Sequence, residues 1–306
     1  MEPIRSGIIG TGFMGRAHAR AVRSAGGTVV AFAGRDQDRT RATAQAEGVR
    51  RVLTPQELID DPDVDLVHVC TPNAFHVKYA EAAIAAGKHV LCEKSFASNA
   101  VEAREMAEAA DQAGLVLMDA FHYRYHPVFI RAKDIYDSGE LGEIRKVSGA
   151  FHIPVTDPTS IRMIYELGGG VTMDIGCYPI SLSRFIFGAE PLRVSAIAEF
   201  DPNFKTDVLS SAIMDFGNGT STFTCSTQMA PYQRVQIFGD RGRVEIEIPF
   251  NAPPDKPCRL WFQNQDAVIE EIEFDICDQY TIQGDLFSRA ILVFSNTMHL
   301  QRYEAL

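Results

Sequence analysis

The stretch Ile8-Ile9-Gly10-Thr11-Gly12-Phe13-Met14-Gly15 decides how the first half of this 306-residue chain folds. An apolar strand ends at Ile9, three glycines follow at G-x-G-x-x-G spacing, and Arg16 to Ala25 reads as a helix. A second apolar run, Thr28 to Ala33, completes a β-α-β unit. In such a unit Gly10 permits the tight turn, Gly12 lets the backbone approach a diphosphate, and Gly15 lets the helix pack close to its strand. Thr11, Phe13 and Met14 complete the loop, and the free amides at the helix N-terminus meet the diphosphate. Ordinary turns also show this glycine spacing; here the flanking strands and their interval point to a dinucleotide.

The residue after the second strand selects between NAD and NADP. An acid at that point accepts from the ribose 2′-hydroxyl of NAD. This chain has Gly34 there, with Arg35 beside it. Gly34 removes the carboxylate that would repel a 2′-phosphate, and the Arg35 guanidinium can bind that phosphate and stack on adenine. Asp36 is the competing candidate, because a one-residue shift would make it the acid of an NAD site. NADP(H) is therefore the preferred cofactor and NAD(H) the alternative.

Composition fits a soluble two-domain enzyme. A net charge of −11 gives no general attraction to nucleic acid or to an anionic membrane surface. No apolar run approaches the length of a bilayer span, and the first strand begins almost at once, so a cytoplasmic location is expected. Cys70, Cys92, Cys177, Cys225, Cys258 and Cys277 show no C-x-x-C spacing and read as reduced thiols. No metal is expected. His122 and His126 are four apart, but Pro127 limits a helix there and no third ligand follows, so they read as a packed or hydrogen-bonded pair.

Strands and helices keep alternating to about residue 122. Asp65 to Cys70 is nearly all apolar, as in a parallel sheet covered on both faces. A helix through Tyr79 to Ala86, a strand at His89 to Cys92, a helix from Asn99 to Ala113 and a strand at Leu115 to Phe121 follow. This is a doubly wound sheet, and ligands sit outside the carboxyl ends of its strands. Thr71, Pro72, Asn73, His76, Glu93 and Lys94 fall on that edge and form a rim facing the expected nicotinamide. Taken singly, each is also an ordinary turn residue or solvated charge.

Residues 123–306 are expected to form a second, substrate-binding and oligomerisation domain. Helices are expected at Pro127 to Ser138 and at Val171 to Phe187, the latter disturbed by Gly176 and Pro179. Strands are expected at Lys146 to His152 and then in a series from Arg193 to Phe274, with turns at Asn218-Gly219 and Gly239-Asp240-Arg241-Gly242. The series predicts a mostly antiparallel open sheet backed by helices. Its other face is left to solvent or to a second subunit, which predicts a homodimer or homotetramer paired through the sheet.

The chain resembles the Gfo/Idh/MocA oxidoreductases from about Ile4 to about Ala290. The resemblance rests on Gly10 to Gly15, on Thr71-Pro72-Asn73 with His76, on Gly87-Lys88-His89-Val90-Leu91-Cys92-Glu93-Lys94, and on Gly168-Gly169-Gly170 through Tyr178. It implies a catalytic lysine at Lys94, in the family's E-K-P motif. It also maps the family's D-x-G-x-H motif onto Asp174-Ile175-Gly176-Cys177-Tyr178, with Tyr in place of His. That form is similar to the branch containing glucose–fructose oxidoreductase, NADP-dependent xylose dehydrogenase and dihydrodiol dehydrogenase. Two departures stand out: Ser95 replaces the motif's proline, and the tail after Ala290 differs, with Ile291 to Leu306 readable as a short amphipathic helix.

The chemistry follows from the residues as well. Hydride removal from an alcohol needs a base within hydrogen-bond reach of the hydroxyl. Asp174 and Tyr178 are four apart and would share a helix face. Bringing a phenol pKa of about 10 near 7 takes roughly 4 kcal/mol, part of which a lysine ammonium and an oxidised nicotinamide can supply. Tyr178 is assigned as acid/base, Lys94 as electrostatic partner and donor to the substrate oxygen, and Asp174 as a substrate-orienting acceptor. Lys94 as proton carrier is the alternative assignment. Tyr123, Arg124 and Arg162 are candidate substrate contacts, and interdomain packing is the other reading of the first two. The substrate class is a sugar, polyol or cyclic diol, with reduction of a keto-sugar open as the reverse direction. A non-catalytic NAD(P)-binding sensor on the same fold is the competing function.

Overall fold

The computed structural model describes residues 3–296. The chain divides into two compact units, one of residues 3–122 with 280–296 and one of Tyr123–Gln279.

The first unit is a six-stranded parallel sheet of order β3-β2-β1-β4-β5-β6. Its strands are β1 (Arg5–Ile9), β2 (Thr28–Ala33), β3 (Arg51–Leu53), β4 (Leu66–Val69), β5 (His89–Cys92) and β6 (Leu117–Asp119). Between them run α1 (Phe13–Ser24), α2 (Gln37–Ala46), α3 (Pro55–Ile59), α4 (His76–Ala85) and α5 (Ala100–Ala113). All four residues of β4 are buried because both faces of the sheet are covered. Val67 and Val69 pack with Ala80, Ala83 and Ile84 of α4 and with Met106 and Ala110 of α5. On the other face Ile8, Phe32 and Cys70 pack with Ala19 of α1 and Ala44 of α2.

Helix ends follow local chemistry. The Asn99 side chain accepts from the amides of Val101 and Glu102 to start α5, and Gly114 stops it at φ 65°. Thr54 and Glu57 form a capping box on α3. The short elements β3, α2 and α3 carry too little apolar periodicity to be read from sequence.

A helix at Gln279–Asn296 belongs to the first unit from Tyr280 onward, a correction to the expected second domain of residues 123–306. Phe287 and Ile291 cover Ile4, Leu66, Leu91 and Ala120, which would otherwise leave one sheet face bare. Burying Phe287 alone contributes about 1.5–3 kcal/mol to that docking. The helix thus begins well before Ile291, where a short one was expected, and residues 297–306 lie outside the described residues.

The second unit is an eight-stranded sheet of order β14-β13-β12-β11-β7-β10-β9-β8. Its strands are β7 (Ile144–His152), β8 (Arg193–Phe200), β9 (Asp207–Asp215), β10 (Thr220–Ser226), β11 (Tyr232–Gly239), β12 (Arg243–Ile246), β13 (Cys258–Gln263) and β14 (Ile269–Phe274). Every pairing is antiparallel except β7 with β10. Alternation along β9, β10, β11 and β13 buries one set of side chains and leaves the other partly exposed. Helices α6 (Pro127–Asp137) and α7 (Cys177–Phe187) belong to this unit. Edge strand β8 is exposed along its whole length.

Candidate functional site

The glycine loop has the stereochemistry that its spacing requires. Gly10 adopts φ +127°, and a Cβ there would run into the Cys70 carbonyl oxygen. A Cβ on Gly15 would strike the Gly10 carbonyl oxygen, so α1 packs against the turn only because both residues are glycine. Gly12 differs: its Cβ would meet no protein atom within 4 Å. Gly12 is also the N-cap of α1 and offers no side-chain cap to the first-turn amides. An open approach beside free helix-terminal amides fits a diphosphate. Thr11 and Met14 are half-buried in the loop, and Phe13 is exposed beside it.

After β2 the chain turns at Gly34. The Arg35 guanidinium is exposed and lies 4.7 Å from the centre of the Phe75 ring. Asp36 is committed elsewhere, because its Oδ1 accepts from the amides of Asp38 and Arg39 at 3.1 and 3.0 Å as the N-cap of α2. One oxygen of this carboxylate is thus engaged at the start of the helix. A side chain at position 34 would also meet Thr40 Oγ1 at 2.5 Å, so the turn accepts glycine alone without rearrangement.

At the carboxyl ends of β4 and β5 the rim takes shape. Thr71 Oγ1 is buried with no hydrogen-bond partner among the described residues, as expected of a group awaiting a ligand. Pro72 and Asn73 are half-buried beside it. His76 does not face a ligand. Its Nδ1 lies 2.6 Å from the Ser95 carbonyl oxygen and its Nε2 2.8 Å from that of Thr71, and the residue is 1% exposed. Both ring nitrogens being taken, His76 ties the Thr71 loop to the Lys94 segment and is not a cofactor contact. Burial pushes its imidazole below the ordinary value against the pull of these two bonds.

Glu93 is likewise buried and not a direct ligand. One carboxylate oxygen faces His18 Nε2 at 2.8 Å, and the other accepts from the Lys94 amide at 3.2 Å. Lys94 is half-buried, and its peptide bond to Ser95 is cis although no proline is present.

In the second unit the triple glycine shapes the residues that follow. Gly168 and Gly170 have φ +75° and +120°, and a Cβ on Gly169 would press on the carbonyl oxygens of Arg162, Ile161 and Ile164 at 2.6–2.8 Å. The chain then makes one π-helical turn, Thr172–Gly176, before α7. The widened turn replaces the regular helix expected over this stretch, and such turns favour functional positions. Asp207, at the start of β9, holds it in place: its Oδ2 accepts from the Thr172 amide at 2.8 Å and from Thr172 Oγ1 at 2.5 Å. Sequence reasoning missed Asp207, 35 residues downstream, because nothing local signals that contact.

Asp174 lies in the π turn, and its Oδ2 accepts from Arg162 Nε at 2.5 Å. Two expected substrate residues thus meet as an ion pair. Tyr178, in the first turn of α7, is 5% exposed and packs among Phe151, Phe250 and Tyr123 with ring centres 5.3–5.8 Å apart. Tyr123 is corrected as a direct substrate contact, while Arg124 is half-buried. Tyr123 is completely buried, its hydroxyl lies 3.2 Å from Ser181 Oγ, and Arg124 donates to the same oxygen at 2.6 Å. Burial pushes the Tyr123 phenol up, so it stays protonated as a packing residue. His122 packs against Tyr280 with tilted rings whose centres are 4.3 Å apart, while His126 caps α6 through Nδ1 and lies 3.3 Å from Cys277 Sγ through Nε2. The histidine pair is split between two jobs.

A glycine turn of this stereochemistry on a doubly wound parallel sheet, with a mostly antiparallel open sheet following in the chain, is the architecture of a dinucleotide-dependent oxidoreductase. Comparison with known families agrees. The model of the oxidoreductase family with the NAD-binding Rossmann fold matches residues 4–121, and the model of the GFO/IDH/MocA C-terminal domain matches residues 129–245. The chain belongs to the Gfo/Idh/MocA oxidoreductase family.

Its relatives include an uncharacterized oxidoreductase of Rhizobium meliloti, 38% identical over 95% of this chain and 90% of that protein. A D-xylose 1-dehydrogenase (NADP(+)) of Haloferax volcanii is 33% identical over 93% of this chain and 88% of that one. Among solved structures, a 3-ketoreductase from Actinomadura kijaniata in complex with NADP and TDP-benzene superposes with a TM-score of 0.88. It is 28% identical and covers 97% of this chain and 92% of that one.

Proposed function

We propose that this oxidoreductase uses NADP(H) and acts on a sugar, a polyol or a cyclic diol, with Lys94 and Tyr178 handling the substrate oxygen. The observation that carries the substrate half is the π turn that holds Asp174 on Arg162 one turn before Tyr178. Support for the cofactor half comes from Arg35 on the Phe75 ring, with Asp36 withdrawn as a helix cap. Gly10, Gly12 and Gly15 would receive the diphosphate, Arg35 the 2′-phosphate and Thr71 the nicotinamide end. When bound, the cofactor supplies the hydride donor or acceptor.

The side chains then divide the proton work. Lys94 donates a hydrogen bond to the substrate oxygen and offsets its negative charge as the proton leaves. Tyr178 takes that proton in oxidation and returns it in reduction. Asp174 accepts from a second substrate hydroxyl and fixes which carbon faces the cofactor. Relatives named for xylose oxidation and for keto-sugar reduction support both directions on this framework.

We further propose that the exposed strand β8 pairs with a second copy. Ile197 is 78% exposed and Val194, Phe200 and neighbouring Ile213 more than half, a large apolar patch for an edge strand. All six cysteines are free thiols, which supports cytoplasmic residence. No helix among the described residues is long and apolar enough to cross a membrane.

The test is reduction of NADP⁺ and NAD⁺ followed by absorbance across aldoses, inositols and cyclic diols, with Lys94→Ala as control. The reverse arm is NADPH oxidation with keto-sugars, including nucleotide-linked ones. Turnover that prefers NADP⁺ and disappears in the variant is expected. Turnover unaffected by loss of Lys94 would refute the assignment.

A further inference from the structure

Four polar side chains line up beneath the Lys94 turn, and neither the glycine loop nor the substrate residues use them. Ser6 of β1, His68 of β4, His18 of α1 and Glu93 after β5 are each no more than 3% exposed. His68 Nε2 lies 3.2 Å from Ser6 Oγ, the two histidine Nδ1 atoms are 2.9 Å apart, and His18 Nε2 is 2.8 Å from Glu93 Oε1. The row ends at the Lys94 amide, which donates to Glu93 Oε2 at 3.2 Å.

A carboxylate with no outlet to water keeps its charge only if its oxygens are matched by donors. Glu93 has one donor on each oxygen, and they differ in kind. The Lys94 amide belongs to the turn that carries the lysine, while the His18 ring stands on a helix packed rigidly against the sheet. We propose that His18 is a positioning residue for Lys94: by holding Glu93 through Oε1 it keeps Oε2 on the Lys94 amide, and so sets the turn that delivers the lysine side chain. The inference rests on the proposed role of Lys94.

Charge supports the geometry. His18 faces Glu93, Cys70 and His68; Glu93 faces His18, Lys94, His122, His76, Cys70 and Cys92. Burial opposes a charge on His18, but Cys70 and Glu93 outweigh it and push the imidazole up to about 10. Burial pushes the Cys70 thiol up, and the His18 charge and a hydrogen bond between the two pull it the other way. Burial works against the Glu93 charge too, yet His18, then Lys94 and His122, hold its carboxyl below the usual range. Burial and the His18 charge drive His68 well down, so it is neutral. With His18 protonated on both nitrogens, Nε2 donates to Glu93 and Nδ1 to His68, and His68 then donates from Nε2 to Ser6 Oγ. Glu93 thereby meets an imidazolium, the stronger charge-assisted donor.

The test uses the full chain labelled with ¹⁵N at histidine rings and backbone amides. At pH 8 the wild type should show one histidine with both ring nitrogens protonated, and a Lys94 amide protected from hydrogen exchange. His18→Gln should lose both signals. Its kcat should fall by on the order of a hundredfold, the scale of a misplaced reacting group, while the NADP⁺ dissociation constant stays within about threefold. The acid limb of its kcat profile should move to higher pH, because Glu93 without its imidazolium protonates more readily. Glu93→Gln should remove that limb altogether.

A folded His18→Gln that keeps wild-type kcat, pH profile and Lys94 protection overturns the inference. So does the absence of a doubly protonated ring at pH 8 in the wild type. If no substrate is turned over, the role of Lys94 fails separately, and Lys94 amide exchange still decides whether His18 holds the turn. If His18→Gln does not fold, His68→Gln removes the support behind His18 without touching Glu93. It should give the same losses to a smaller degree, and unchanged values there overturn the inference.

Discussion

Replacing Arg35 by alanine should convert the cofactor preference without harming the fold. Arg35 is exposed and touches the protein mainly through its stack on Phe75, so its removal leaves no buried group unpaired. A charge-assisted contact to a phosphate is worth about 1.5–3 kcal/mol, which predicts a 10- to 150-fold weaker NADP⁺ complex. NAD⁺ lacks the 2′-phosphate and loses at most a cation–π contact with adenine, about 0.5–1 kcal/mol or two- to fivefold. Asp36 stays on its helix cap, so NAD⁺ should not gain. Titration of tryptic-resistant, correctly folded protein with both cofactors, followed by fluorescence, measures the ratio directly. Equal losses for the two cofactors would refute the assignment of Arg35 to the phosphate. The companion change Gly34→Asp should weaken both, since its Cβ meets Thr40 Oγ1 at 2.5 Å. Adding Thr40→Ala should recover NAD⁺ binding preferentially.

Further expectations follow from the same contacts. Tyr178→Phe should lower kcat by roughly 10²–10⁴-fold with the NADP⁺ dissociation constant unchanged in fluorescence titration. Asp207→Ala removes the acceptor for the Thr172 amide and hydroxyl, and urea denaturation should show a loss of about 2 kcal/mol, with Asp207→Asn losing less. Stability should be dome-shaped in pH. The raised His18 value contributes stability that is complete below its unfolded value of 6.5 and is lost as pH rises toward about 10. The depressed His68, His76, His89, His126 and His152 contribute stability that is lost as pH falls below 6.5. Thermal melts from about pH 6.5 to about 7.5, below the cysteine range, should decline in the wild type and flatten in His18→Gln. Ile197→Lys should shift sedimentation equilibrium toward monomer, and an unchanged mass would exclude β8 as the contact.

Much of the candidate site was legible in sequence because its signals are local. Gly10, Gly12 and Gly15 are read from backbone stereochemistry within one turn, and Gly34-Arg35 from its interval to that turn. The continuous apolar run ending at Cys70 announces a strand buried on both faces. What stayed hidden depends on partners far apart in the chain. His76 and Glu93 read as rim residues, but their polar atoms are consumed by Ser95, Thr71 and His18. Tyr123 and Arg124 read as polar contacts, and Ser181, more than fifty positions on, claims them both. The helix at Gln279–Asn296 has an apolar face that could cover either sheet, and only the bare strip of Leu66, Leu91 and Ala120 decides which.

The amino-acid order by itself determined the doubly wound sheet with its glycine turn and the mostly antiparallel open sheet, since each is encoded by local pattern. Only the tertiary structure decided which charged groups are available for chemistry. It withdrew Asp36 to a helix cap, joined Asp174 to Arg162, and set His18 behind Glu93. The physical reason is that a polar side chain is committed by the nearest complementary atom in space, and burial makes leaving that atom expensive.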